Sequence, residues 1–145
     1  MSAQAGATPE VNIEVKGLDV SFIAGEVLTG HLYKAVYLSA ERTISLVATS
    51  TNMAFIGFLQ SGDVGALTTI AIGDNVSVRI DGITYVVAQS SFTMGERLMV
   101  ADSSGRVDTA TDNNLVVAIA LESASAINHV VSALIVHCPI KGDNT

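Results

Sequence analysis

"NVSVRIDGITYVVA", residues 75–88, is the stretch on which the reading of the fold turns. Two alternating apolar runs flank Asp81-Gly82, and an Asp-Gly pair in that setting is a strong signal for a two-residue hairpin turn. Counting outward from the turn sets Ile80 opposite Ile83, Val78 opposite Tyr85 and Val76 opposite Val87. All six apolar side chains then share one face, and a slip of one residue would send them to the other.

The neighbouring sequence keeps the period of two. In "VNIEVKG" (11–17) Val11, Ile13 and Val15 alternate with Asn12, Glu14 and Lys16, the pattern of a half-buried strand. Residues 1–10, "MSAQAGATPE", are small and polar and read as a flexible N-terminal arm ahead of a single β-rich domain, 11–145. "SGDVGALTTIAIGD" (61–74) has room for at most one short helix or a loop. No proline lies between Pro9 and Pro139, which suits an uninterrupted β core. "LVVAIAL" (115–121) and the run from Val130 to Val136 are apolar on both faces and need cover on both sides.

The two halves echo one another. "ATSTNMAFIGFLQS" (48–61) aligns with "ATDNNLVVAIALES" (110–123) at a shift of 110 − 48 = 62 residues, with Ala48, Thr49, Asn52, Leu59 and Ser61 recurring as Ala110, Thr111, Asn114, Leu121 and Ser123. Val36-Tyr37-Leu38 precedes the first copy and Leu98-Met99-Val100 the second. The expected class is all-β, a small sandwich or barrel of short strands in which the echo allows two related halves.

Composition narrows the function. A chain of 145 residues fits one domain and buries about 70% of its unfolded surface. Seven basic against fourteen acidic residues, with Lys and Arg scattered singly, argue against a nucleic-acid groove. No apolar run reaches the roughly 18 to 20 residues of a spanning helix, and the N-terminus lacks the basic start and apolar core of a secretory signal, so synthesis in a cytoplasm is expected. Cys138 is the single cysteine, which leaves no internal disulfide and no cysteine-based zinc cluster.

Chemistry is sparse. The glycines form no phosphate-binding loop, and neither a nucleophile elbow nor a zinc-protease helix occurs. The strongest catalytic candidate is Cys138 beside His137, with His129 and His31 as other bases, but adjacent residues on a strand point to opposite faces, so His137 is badly placed to activate Cys138, which reads as a buried structural cysteine. Asp102, Asp108 and Asp112 lack the spacing of a calcium loop. Tyr33, Tyr37, Phe55, Phe58 and Tyr85 read as core packing. Glu122, at the end of an apolar run, is the one charge that stands out. No catalytic, cofactor-binding or metal-ligating residues are expected, and the chain is not read as an enzyme.

From about residue 82 onward the order of segments, "GERLMV", then "SSGRVDTAT", then "VVAIALESASA", then the closing "HVVSALIVH", resembles the capsid decoration (cement) proteins of tailed bacteriophages. Ala118 stands where family members often carry glycine, and Gly57 holds the approximate equivalent in the first copy. The resemblance implies a homotrimer, made in the host cytoplasm and bound to the outer surface of a phage head, where it clamps neighbouring major capsid proteins. It implies no membrane or nucleic-acid partner. A second β-rich chain is the natural cover for the doubly apolar C-terminal strand, which puts Val131, Ala133 and Ile135 at the expected trimer interface. The arm and first strand, Pro9, Val11, Ile13 and Val15, are expected to bind the capsid by strand addition. The competing reading is a head-fibre-like β-domain that binds a host surface or glycan, although the chain has no Trp and 5% aromatic residues.

Overall fold

A computed structural model describes residues 14–48, 54–62, 69–101, 104–111 and 114–137. Among them are nine strands and no helix: β1 (Gly17–Ala24), β2 (Ala35–Ala40), β3 (Thr43–Leu46), β4 (Phe55–Gly62), β5 (Asn75–Val87), β6 (Arg97–Val100), β7 (Val107–Thr109), β8 (Ala118–Ala120) and β9 (Val130–Ile135). The hydrogen-bonded order is β1-β3-β2-β4-β5-β9-β8-β6-β7, and β1 also pairs with β5. That extra pairing closes β1, β3, β2, β4 and the first half of β5 into a ring. A parallel bridge, Ala88 to Val107, closes the second half of β5, β9, β8, β6 and β7 in the same way. Two small barrels thus share one long strand, and the all-β expectation with related halves holds.

The expected hairpin does not form. Asn75–Val87 is one strand that passes from the first barrel into the second, and Asp81-Gly82 marks a bend in it. Across this bend β1 runs antiparallel, with Gly17 opposite Gly82, Leu18 opposite Asp81 and Asp19 opposite Arg79, so Ile80 is left as a bulge. Gly82 has φ +101°, and a Cβ there would lie 2.7 Å from Gly17 Cα. Arg79 fixes the bend: it donates to the carbonyl of Ile83 (2.9 Å) on its own strand and to that of Val15 (3.2 Å), and forks onto Asp19 (2.7 and 3.1 Å). The apolar alternation never changes phase, because Val76, Val78, Thr84 and Val86 are all buried. A hairpin would have sent Tyr85 inward beside Val78; in the continuous strand Tyr85 is exposed and Val78 lies between Val20 and Leu59.

The second barrel repeats the pairing pattern of the first without the register shifts that interrupt it. Val36 faces Leu46 and Gly57 in the first, and Leu98 faces Thr109 and Ala118 in the second. Val20 opposite Val78 returns as Thr84 opposite Ala133, and Leu59 opposite Val78 as Ala120 opposite Ala133. Left-handed backbone positions repeat too. Tyr33 (φ 66°) corresponds to Gly95 (φ 87°), Arg42 (φ 55°) to Gly105 (φ 75°), and Gly73 (φ 92°) to Asn128 (φ 67°). Tyr33 N–H donates to Leu59 O and Gly95 N–H to Ala120 O, both at 2.7 Å. At each pair one copy holds glycine and the other a residue that pays sterically for the same turn.

The barrels differ in how they pack. Ala24, Leu28, Val36, Ile44, Leu59, Val76 and Val78 fill the first. Their counterparts Ala88, Phe92, Leu98, Val107, Ala120, Val131 and Ala133 belong to a larger cluster that also takes in Ala35, Val47, Phe55 and Phe58 from the first barrel. The outer face of β2 and β4 therefore lies on the second barrel, tied there by Ala35 N–H to Gly105 O (2.9 Å) and Gln60 Nε2 to Thr84 Oγ1 (2.8 Å).

Of the strand expected over 11–17, residues 14–16 are not in a strand. Residues 11–13 lie outside the described residues, and β1 starts at Gly17, with Ala24 buried and Val20 and Phe22 half-buried. Residues 63–68 also lie outside them, and the described parts of 61–74 contain no helix.

Candidate association surfaces

β9 shows what can meet a partner. Val131, Ala133 and Ile135 are buried in the chain's own core cluster, so they are not on a surface that a second chain can reach. Alternation turns Val130 and Leu134 outward instead, at 45% and 38% exposure. The sequence could not reveal this phase, since the run is apolar at nearly every position. Ser132, on the outward side, is buried because Glu122 covers it: Glu122 Oε1 accepts from Ser132 N–H (2.8 Å) and from its hydroxyl (2.7 Å). Those two bonds hold the Glu122 carboxyl below its ordinary pKa. The charge that stood out in the sequence is the clip on β9.

Beside Val130 a cavity of about 360 Å³ opens between the barrels, lined by Leu32, Tyr33, Lys34, Val87 and Asn128 among others. Tyr33 meets Tyr85 edge to face, 5.3 Å between centroids. This contact joins the barrels and gives a reason for tyrosine at a left-handed position that Gly95 fills without strain in the second copy.

A larger groove of about 480 Å³ lies on the first barrel, lined by Leu18, Phe22, Phe55, Ile56, Ile80 and His137. It sits at the bend of β5. The carbonyl of the bulged Ile80 accepts from His137 Nε2 at 2.6 Å, which requires the proton on that nitrogen, and the His137 ring lies 5.8 Å from Phe55. The groove is mostly apolar, with Asp81 at its edge. On the opposite barrel the outer face of β6 and β8 carries Met99, Ile119 and, just past the strand, Leu121, all half-buried, beside the exposed Arg97.

The remaining polar groups serve the backbone. Asp74 Oδ2 accepts from Ala71 N–H (2.8 Å), and at the matching loop of the second barrel His129 Nδ1 accepts from Ser125 N–H (3.0 Å). Burial and the neighbouring Lys34 ammonium, 3.0 Å from Nδ1, hold His31 below its ordinary pKa. Asp108 Oδ1 accepts from Thr109 N–H (2.7 Å). Among the described residues no group of three or more His, Cys, Asp or Glu side chains is placed to hold a metal ion. Cys138, Asp102, Asp112 and the arm residues Pro9, Val11 and Ile13 lie outside the described residues, while Val15 is half-buried at the entrance to β1. What these surfaces offer is apolar contact.

The fold has a counterpart among solved structures. The N base of head fiber gp8.5 in bacteriophage phi29 matches with a TM-score of 0.55 and 19% identity, over 84% of this chain and 96% of that one. At that identity the likeness is one of fold. A comparison with curated proteins gives no match. The family described as phage cement protein matches residues 38–135, more than half of the chain and a span running from within β2 to the end of β9. The chain belongs to the phage cement protein family.

Proposed function

We propose that the protein decorates the outer surface of a phage head as a homotrimer and stabilises the shell by bridging neighbouring major capsid proteins. The observation that carries this reading is the family match, which spans parts of both barrels and the strand they share. The surfaces support it: large exposed apolar residues occur on both barrels, among them Leu18, Val27, Ile72, Met94, Ile127 and Val130. Ile72 and Ile127 occupy matching loops of the two copies, just before Gly73 and Asn128. A duplicated binder offers the same apolar knob twice, which suits a shell built from repeated copies of one protein.

Residues 1–10 with Val11, Ile13 and Val15 are assigned part of the capsid contact, by strand addition to an edge of the capsid protein. Co-sedimentation of the purified protein with expanded, undecorated heads tests the function. Saturable binding that raises the temperature at which the heads rupture supports it; heads that stay bare at micromolar protein contradict it. Retention of the protein on host cells or glycan arrays, without retention on heads, would instead favour the head-fibre reading.

A further inference from the structure

We infer that copies of this chain join head to tail, with the outer strip of the second barrel seated in the groove of the first barrel of the next copy. The inference rests on the trimer reading and names its seam.

Within the chain, the outer face of the first barrel is covered by the second. Ala35 and Phe58 are fully buried there, and Phe55 and Phe58 share a cluster with Val86, Val117 and Ile135. Phe22 corresponds to Val86 by register, and counting on from the paired residues Gly57 and Val78, into the two bulged positions, Ile56 and Ile80 correspond to Val117 and Ile135. These three line the open 480 Å³ groove. The place that receives Phe58 in the second barrel is thus an open groove in the first. The complementary face is open as well. Tyr37 and Phe58 correspond to Met99 and Ile119, and Leu121 follows Ala120 as Gln60 follows Leu59. Leu38 shows the same asymmetry, 42% exposed where its counterpart Val100 is 2% exposed.

One contact is therefore made once inside the chain, and both of its halves are presented again at the two ends. A heterologous contact of this kind propagates from copy to copy and ends only by closing into a ring, which is how it serves a trimer. The seam differs from the internal one in two ways. Gln60 and Thr84, hydrogen-bonded inside the chain, give way to Leu121 and Val20, so the seam is more apolar there. Arg97 and Arg42 stand where Ala35 and Gly105 touch, so the approach is wider at that point and the apolar strip carries the contact.

Two variants on exposed or half-exposed positions test this: Ile119→Lys removes the strip and Leu18→Lys blocks the groove. Light scattering of wild type, each variant and their equimolar mixture is the measurement, with circular dichroism confirming that each variant folds. The expected result is a trimeric wild type, each variant alone weakened in association by at least about tenfold, and a mixture that yields heterodimers, because it restores one seam. A monomeric wild type would overturn the trimer reading itself. A trimeric wild type with both variants still trimeric, or a mixture no more associated than its parts, would overturn the seam and leave the trimer standing. Should a variant fail to fold, Arg42→Cys combined with Arg97→Cys in a Cys138→Ser background gives a second readout with a short thiol-to-thiol linker. Covalent dimers and trimers are expected from the double variant; their absence from a trimeric sample contradicts the seam.

Discussion

The two barrels share a backbone plan and almost no side chains, and the contrast shows what the plan requires. Both keep the strand order, the central registers and three left-handed turns, while Leu59 and Val78 of the first become Ala120 and Ala133 of the second. The second barrel tolerates these smaller residues because Phe92 replaces Leu28 and because Phe55 and Phe58 enter its cluster from outside. A close-packed interior requires total volume to be conserved rather than any one residue. The first barrel fills itself with larger aliphatics and keeps its groove open.

The largest effect is expected where this contrast is most one-sided. Val78 is fully buried in the first barrel between Val20 and Leu59, and Val78→Asp buries an unpaired carboxylate. A loss of several kcal/mol is expected, enough to abolish a cooperative thermal transition. A melting curve like that of wild type would show that the first barrel does not close around this residue.

The left-handed pairs sharpen the comparison at smaller magnitude. Gly105→Ala places a Cβ 2.8 Å from Ala35 O, at the junction of the barrels and at φ 75°. It should destabilise by about 2 kcal/mol or more, combining turn strain with lost approach. At the equivalent turn Arg42 is exposed, and Arg42→Gly relieves about 1 to 2 kcal/mol of strain while loosening the unfolded chain by about 0.5 to 1. The net expectation is a gain of about 0.5 to 1 kcal/mol. Opposite signs for the two substitutions in a denaturant titration would establish that the halves share one turn; equal signs would break the equivalence.

Acid should act through two groups with lowered pKa values. His31 is held below its ordinary value first by burial, then by Lys34, and Glu122 first by the Ser132 hydroxyl, then by its N–H. A group whose pKa is depressed on folding binds fewer protons in the native state, so its contribution is complete above its unfolded pKa and is lost as pH falls through the folded one. His31 therefore weakens the fold on acidification below about pH 6.5, and Glu122 only below about pH 4.5. His31→Gln should flatten the first part of the stability profile and Glu122→Gln the second, each by a small amount since both side chains are partly solvated. Profiles parallel to wild type would contradict the assignment. Smallest of all is the expected effect of deleting residues 1–10: no change in melting temperature, with head binding weakened by at least about tenfold, or about 1.4 kcal/mol. Unchanged binding would remove the arm from the capsid contact.

Much of this was legible beforehand, and the failures are instructive. The period of two shows the class, and the 62-residue shift holds for β2 and β6, which fall on the two apolar steps before the echo; β4 and β8 correspond instead at a shift of 120 − 59 = 61, Leu59 with Ala120, so the echoed pairs Leu59 with Leu121 and Ser61 with Ser123 are not structural equivalents. The substitution of Ala118 for Gly57 is a true structural equivalence. Asp81-Gly82 misled because a local turn signal is silent about what lies opposite it; Gly17 and the Arg79 fork turn the same dipeptide into a bend. The nearly uniform apolarity of β9 hides its phase, and its exposed positions are Val130 and Leu134 rather than the expected Val131, Ala133 and Ile135. Neither the groove nor the strip has a sequence signature. They become visible only when one barrel is laid on the other.

The central claim is decoration by a trimer on the outside of the shell, and cryo-electron microscopy of expanded heads mixed with the protein tests it most directly. Density is expected on the outer surface in which three copies surround each binding axis, every copy touching more than one capsid subunit. Heads without added density, or single copies each resting on one subunit, would contradict it.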